Sequence, residues 1–103
     1  MVANENLFIW REFRLSAESR RFYYKDLEIP LTRMEFQLLQ LLIASPEQVF
    51  SRGQILAAME LDSRYGAHST VDSHVSRIRK KVKSAGGPTV IKAVHGIGFR
   101  LEQ

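Results

Sequence analysis

Thr70-Val71-Asp72-Ser73-His74-Val75-Ser76-Arg77-Ile78-Arg79-Lys80-Lys81-Val82 is the stretch on which the reading of this chain turns. At the 100° per residue of an α-helix, Val71, Val75, Ile78 and Val82 fall in one seam about 60° wide. The opposite side carries Ser69, Ser73, Ser76, Arg77, Lys80 and Ser84, small hydroxyls between long cations. A merely solvated helix usually mixes Glu among its Lys residues to gain i,i+4 pairs. This face has no Glu, and Asp72 is the only acid beside it. Small residues let a helix sit deep in a major groove, where Arg and Lys reach guanine edges and phosphates. The spacing predicts a helix from about Thr70 to Ser84, capped by Ser69, with one side on a core and the other free for a polyanion. A solvated basic face without a partner is the alternative.

The flanking residues build a frame for that helix. Upstream, Ser51-Arg52-Gly53-Gln54 has the spacing of a capping box and opens a helix through Ile55, Leu56 and Met59. A loop from Glu60 to His68, around Tyr65-Gly66, then leads to the basic helix. Downstream, Gly86-Gly87-Pro88 ends it. Val90 to Ala93 and Gly98 to Leu101 read as strands joined through Val94-His95-Gly96-Ile97, a hairpin carrying Lys92, His95 and Arg100. Such a basic hairpin beside a basic helix is able to follow a duplex into the neighbouring minor groove. Further upstream, Thr32-Arg33-Met34-Glu35 is another capping box, which gives Glu35 a structural task. The helix it opens, with Met34, Phe36, Leu38, Leu39, Leu41, Leu42 and Ile43, is apolar enough to be central to the core and stops at Pro46. Val49-Phe50 is a short apolar pair. Before Pro30, Phe8/Trp10, Phe13/Leu15, Phe22/Tyr24 and Leu27/Ile29 each recur at period two, which predicts up to four small antiparallel strands. Residues 1–6 are polar and read as a linker end, leaving 7–103 as one domain.

Composition narrows the classes. The chain has 103 residues and no cysteine, so disulfides, thiolate metal sites and cysteine nucleophiles are excluded. Its densest apolar run, Leu38 to Ala44, is far short of the roughly 20 residues of a membrane span, and no basic-then-apolar leader is visible at the N-terminus. Residues 1–67 hold eight basic and nine acidic side chains, whereas 68–103 hold seven basic and two acidic. The excess therefore lies in the last third, an asymmetry that points to nucleic acid before membrane. His68 and His74 are six apart and do not share a helix face as metal ligands would. No Gly-x-Ser-x-Gly elbow is present, and Gly96-Ile97-Gly98 is followed by no helix, so nothing argues for catalysis, a cofactor or a metal.

Four segments, in order, resemble a known family. Leu31 to Leu39 (Leu-Thr-x-x-Glu-Phe-x-Leu-Leu), Val49 to Leu56 (Val-Phe-Ser-Arg-x-Gln-Ile-Leu), Thr70 to Val82, and Val94 to Leu101 (Val-His-Gly-Ile-Gly-Phe-Arg-Leu) are similar to the first helix, second helix, recognition helix and wing of the OmpR/PhoB-type DNA-binding domain of bacterial response regulators. The resemblance implies an α+β winged helix-turn-helix: a four-stranded antiparallel sheet, three helices and a C-terminal β-hairpin wing. It implies a cytoplasmic, non-enzymatic two-component regulator in a phosphorelay, binding promoter DNA as a tandem pair, with a separate receiver domain and an isolated domain that is monomeric. Base contacts would come from Ser73, Ser76, Arg77 and Lys80, backbone contacts from Arg52, Thr70, His74 and Arg79, and wing contacts from His95 and Gly96. Asp62 and Arg64 would lie in a loop, 60–68, able to meet RNA polymerase. The chain departs from the family pattern at Ser69, Glu60 and His95, where Arg, Trp and Arg are usual. Two other readings stand beside this one: the cytoplasmic DNA-binding domain of a one-component membrane-anchored regulator, and a winged helix used for protein docking.

Overall fold

A computed structural model describes residues 6–59 and 68–101. The period-two segments form β1 (Leu7–Trp10), β2 (Phe13–Ser16), β3 (Arg21–Tyr24) and β4 (Leu27–Glu28), an antiparallel sheet in sequence order. Its register places Phe8 opposite Leu15 and Leu15 opposite Phe22, with Trp10, Phe13 and Tyr24 in the next row. One face is therefore aromatic and apolar, as alternation requires. The Leu27/Ile29 pair behaves differently from expectation. Leu27 is 53% exposed, and Ile29, 3% exposed, lies past the end of β4. β4 is the two-residue edge strand, while α1 packs on β1 at the other edge.

Three helices follow: α1 (Arg33–Ala44), α2 (Arg52–Ala58) and α3 (His68–Ser84). Both expected capping boxes are present, Thr32 with Glu35 and Ser51 with Gln54. α3 begins two residues before the expected start, so Ser69 lies inside it and is not its cap. His68, Ser69 and Thr70 include no proline or glycine to halt the turn, and the helix extends through them. At the other end the Gly86 amide donates to the Lys83 carbonyl and the Gly87 amide to the Val82 carbonyl, both at 2.9 Å. Gly86, at φ +89, supplies the left-handed residue that this Schellman ending needs.

The C-terminal hairpin is β6 (Ile91–Val94) and β7 (Gly98–Leu101). The Val49-Phe50 pair contributes more than the sequence reading gave it. Phe50–Ser51 is a strand, β5, which pairs with β7 and turns the hairpin into a three-stranded sheet, β5-β7-β6. Gly98 makes this approach possible: a Cβ there would lie 1.9 Å from the Phe50 carbonyl oxygen. One buried cluster joins Phe13, Leu15 and Phe22 from the first sheet, Leu38, Leu39 and Leu42 from α1, Ile55 from α2, the valine–isoleucine seam of α3, and Ile91 and Leu101 from the hairpin. α3 packs on both α1 and α2 and so presents a single free side.

Candidate nucleic-acid interface

The apolar seam of α3 is buried completely: Val71, Ile78 and Val82 are 0% exposed and Val75 1%. Four anchored side chains fix which way the helix faces. Ser69, Ser73, Ser76, Arg77, Lys80 and Ser84 are all exposed on the other side, as the wheel requires. Among the described residues, Arg77 and Lys80 have no hydrogen bond, ion pair or ring contact. The four residues expected to touch bases, Ser73, Ser76, Arg77 and Lys80, thus share one open surface.

The expected backbone contacts are placed differently from one another. Arg52, at the first turn of α2, points its Nε at Asp72 Oδ1, 3.0 Å away, and lays its guanidinium 4.9 Å from the centre of the Phe99 ring. It links α2, α3 and β7. Arg79 reaches under the hairpin, where Nε and Nη2 donate to the Ile91 carbonyl at 3.1 and 2.7 Å. This fork ties α3 to β6. His74 is half-buried, with Nδ1 2.8 Å from the Thr70 carbonyl; the carbonyl only accepts, so Nδ1 carries the proton there. Thr70 is half-buried on the same turn.

The hairpin tip is open. His95 and Gly96 are exposed, and Ile97 is 57% exposed. The Ile97 amide closes the turn on the Val94 carbonyl at 2.9 Å, with Gly96 at φ +76. Asp62 and Arg64, with the rest of the loop from Glu60 to Ala67, lie outside the described residues.

One feature of the frame was not visible in advance. Glu35 is 1% exposed, and its Oε1 accepts both the Thr32 amide at 2.9 Å and the Lys81 ammonium at 2.6 Å. Burial works to raise the Glu35 pKa. The Lys81 hydrogen bond, the Thr32 amide and the positive charges of Lys81 and His74 outweigh it, so the carboxyl is held below its ordinary range. A signal existed: Glu35 shares its helical stripe with Leu38, Leu39 and Leu42. An acid on a core stripe calls for a cation, but the pattern does not say which one.

Among the described residues, no cluster of three or more His, Asp or Glu side chains could hold a metal ion, and no helix is long and apolar enough to cross a membrane. Residues 26–101 match the family described as transcriptional regulatory protein, C terminal. The chain belongs to that family, the OmpR/PhoB-type DNA-binding domains. It is 38% identical over 91 residues to the phosphate regulon transcriptional regulatory protein PhoB of Rhizobium meliloti (strain 1021), a match covering 88% of this chain and 40% of that protein. It is 40% identical over 75 residues to the transcriptional regulatory protein BaeR of Escherichia coli O6:H1, covering 72% of this chain and 31% of BaeR. The chain therefore spans two fifths or less of these relatives. The DNA-binding domain of the response regulator AdeR, solved in complex with an intercistronic region, superposes with a TM-score of 0.84 at 27% identity, covering 92% of this chain and 97% of that one. OmpR/PhoB-type domains are the DNA-binding output modules of two-component response regulators and are not enzymes.

Proposed function

We propose that this OmpR/PhoB-type domain binds promoter DNA in a sequence-specific manner, with α3 in the major groove and the β6–β7 hairpin against the adjacent minor groove. The observation that carries the reading is the pair of exposed cations, Arg77 and Lys80, without partners among the described residues, on a serine-lined face whose opposite side is wholly buried. Arg77 reads guanine through a bidentate contact, and Ser73, Ser76 and Lys80 line the groove beside it. Arg52 and Arg79 hold the phosphate backbone with the guanidinium nitrogens that Asp72 and the Ile91 carbonyl leave free, and Thr70 and His74 add contacts at the same edge. His95 and Gly96 approach the minor groove from the wing.

In the full-length cytoplasmic regulator, a receiver domain controls pairing of two such domains on DNA. The loop that includes Asp62 and Arg64 faces RNA polymerase. Asp62→Ala and Arg64→Ala in that full-length protein are expected to lower transcription without changing DNA affinity; unchanged transcription would refute the polymerase role. The base-reading role is tested by a panel of single base-pair substitutions. Arg77→Ala should relax specificity at one or two positions, whereas Arg52→Ala should weaken all sequences alike. The reverse pattern would refute the assignment.

A further inference from the structure

The cations of α3 are chemically alike but not equivalent in place. Arg77 and Lys80 face solvent and have no partners among the described residues. Lys81 follows Arg77 by one turn, on the border between the exposed face and the buried seam. Its side chain is 35% exposed, and its ammonium turns inward, 2.6 Å from the buried Glu35 carboxylate on α1. That carboxylate is itself immobilised. The oxygen that takes Lys81 also closes the capping box on the Thr32 amide, while the Thr32 hydroxyl accepts from the Glu35 amide at 3.2 Å.

The anchor therefore belongs to the start of α1, the most apolar helix of the core, and not to a swinging surface side chain. The other polar attachments of α3 go to different elements: Asp72 to Arg52 of α2 in the N-terminal part, and Arg79, between Arg77 and Lys80, to the Ile91 carbonyl of β6. Lys81 adds an attachment of the last turn to α1, one residue after Lys80. Binding constellations work only when their side chains are held to within about 0.5 Å and 10–20°.

We propose that Lys81 is a positioning residue for DNA recognition: its ion pair with Glu35 ties the last turn of α3 to the start of α1, adding to the buried seam that sets the helix's orientation, and so steadies the aim of Arg77 and Lys80, while Lys81 itself contacts no phosphate. This rests on the DNA-binding reading above and adds that one basic group of the recognition helix works inward. The chain itself shows how to remove the charge without removing the cap. In the second capping box, the neutral Gln54 Oε1 accepts the Ser51 amide at 2.8 Å, so glutamine closes such a box. Glu35→Gln keeps the cap and removes the charge that holds Lys81. Glu35→Gln combined with Lys81→Met removes the pair without leaving a buried charge or changing the net charge.

The test uses the chain as it stands, with a duplex it selects from a random pool and a scrambled duplex of equal length. Melting by circular dichroism sets a temperature at which every variant is folded. The double variant is expected to keep the wild-type slope of log K against log salt on both duplexes, because its lost cation touched no phosphate. Its preference for the selected duplex should fall about tenfold, within the range of a lost base contact. Arg52→Ala, which removes a backbone contact, should instead flatten the slope by about one. Glu35→Gln alone should lower the preference as well, and Lys81, held less tightly, should leave the slope unchanged or steepen it. A slope flattened by about one in the double variant would make Lys81 a phosphate contact and overturn the proposal. An unchanged preference in the double variant would overturn it too. Salt-independent binding by the wild-type chain would bring down the DNA-binding reading itself, a result distinct from both.

Discussion

The N-terminal sheet and α3 both turn arginine and lysine toward solvent, and they differ in what surrounds those side chains. On the sheet each cation has company. Arg14 lies 4.9 Å from the Tyr23 ring centre and donates to the Lys25 carbonyl at 3.2 Å; Arg21 is 4.0 Å from Glu28 and Lys25 is 3.9 Å from Glu12. Arg11 sits over Trp10 and Arg20 over Phe36. On α3, Arg77 and Lys80 have none of this among the described residues, and no acid follows Asp72 before Glu102. Exposed pairs such as those on the sheet contribute only about 0–1 kcal/mol. The sheet segment also carries four acids, Glu12, Glu18, Asp26 and Glu28, against its five cations, whereas α3 has Asp72 alone against five. A net charge of +4 does not reveal this; the local balance does.

The contrast breaks most visibly at Arg77. Arg77→Ala should cost about 1–3 kcal/mol of specific binding, while Arg14→Ala on the sheet should leave duplex affinity unchanged in a fluorescence-anisotropy titration. Equal losses at the two sites would erase the distinction between the regions. Lys80→Ala should follow, with a smaller loss of preference at the base pairs beside the one Arg77 reads.

Glu35→Gln probes a cation that the core has claimed. Because the native carboxyl has a lowered pKa, its contribution is present above the ordinary carboxylate range and is lost as pH falls through the folded value. The variant should be less stable than the wild type by about 1 kcal/mol near neutral pH, less than a fully buried charged hydrogen bond because Lys81 keeps access to water. The gap in melting temperature should close on acidification, and a gap constant with pH would contradict the assignment. The smallest effect belongs to Arg21→Ala. It should shift neither the urea midpoint nor duplex binding beyond error, as unfolding and anisotropy would show.

These contrasts also mark where the sequence was readable. The α3 seam was legible because four β-branched residues at 3.6-residue spacing admit one orientation, and the exposed serines and cations followed from it. Both capping boxes were legible because Thr32/Glu35 and Ser51/Gln54 are local, three residues apart. β5 was not: two residues carry no periodicity, and their pairing with β7 depends on a contact that Gly98 permits 47 residues after Ser51. The partners of Arg52, Arg79 and Lys81 were hidden for the same reason. Asp72, Ile91 and Glu35 lie 20, 12 and 46 residues away, and only tertiary packing brings them together. Local rules thus gave the surface that faces outward, and the cations that face inward became distinguishable only in three dimensions.

The central claim is that a cluster of uncompensated cations on and around α3 meets nucleic-acid phosphate. A titration of this chain with duplex DNA at several salt concentrations tests it directly. With about 4–6 phosphates neutralised per domain, log K should fall with log salt at a slope of roughly −4 to −5. A slope near zero would contradict the account.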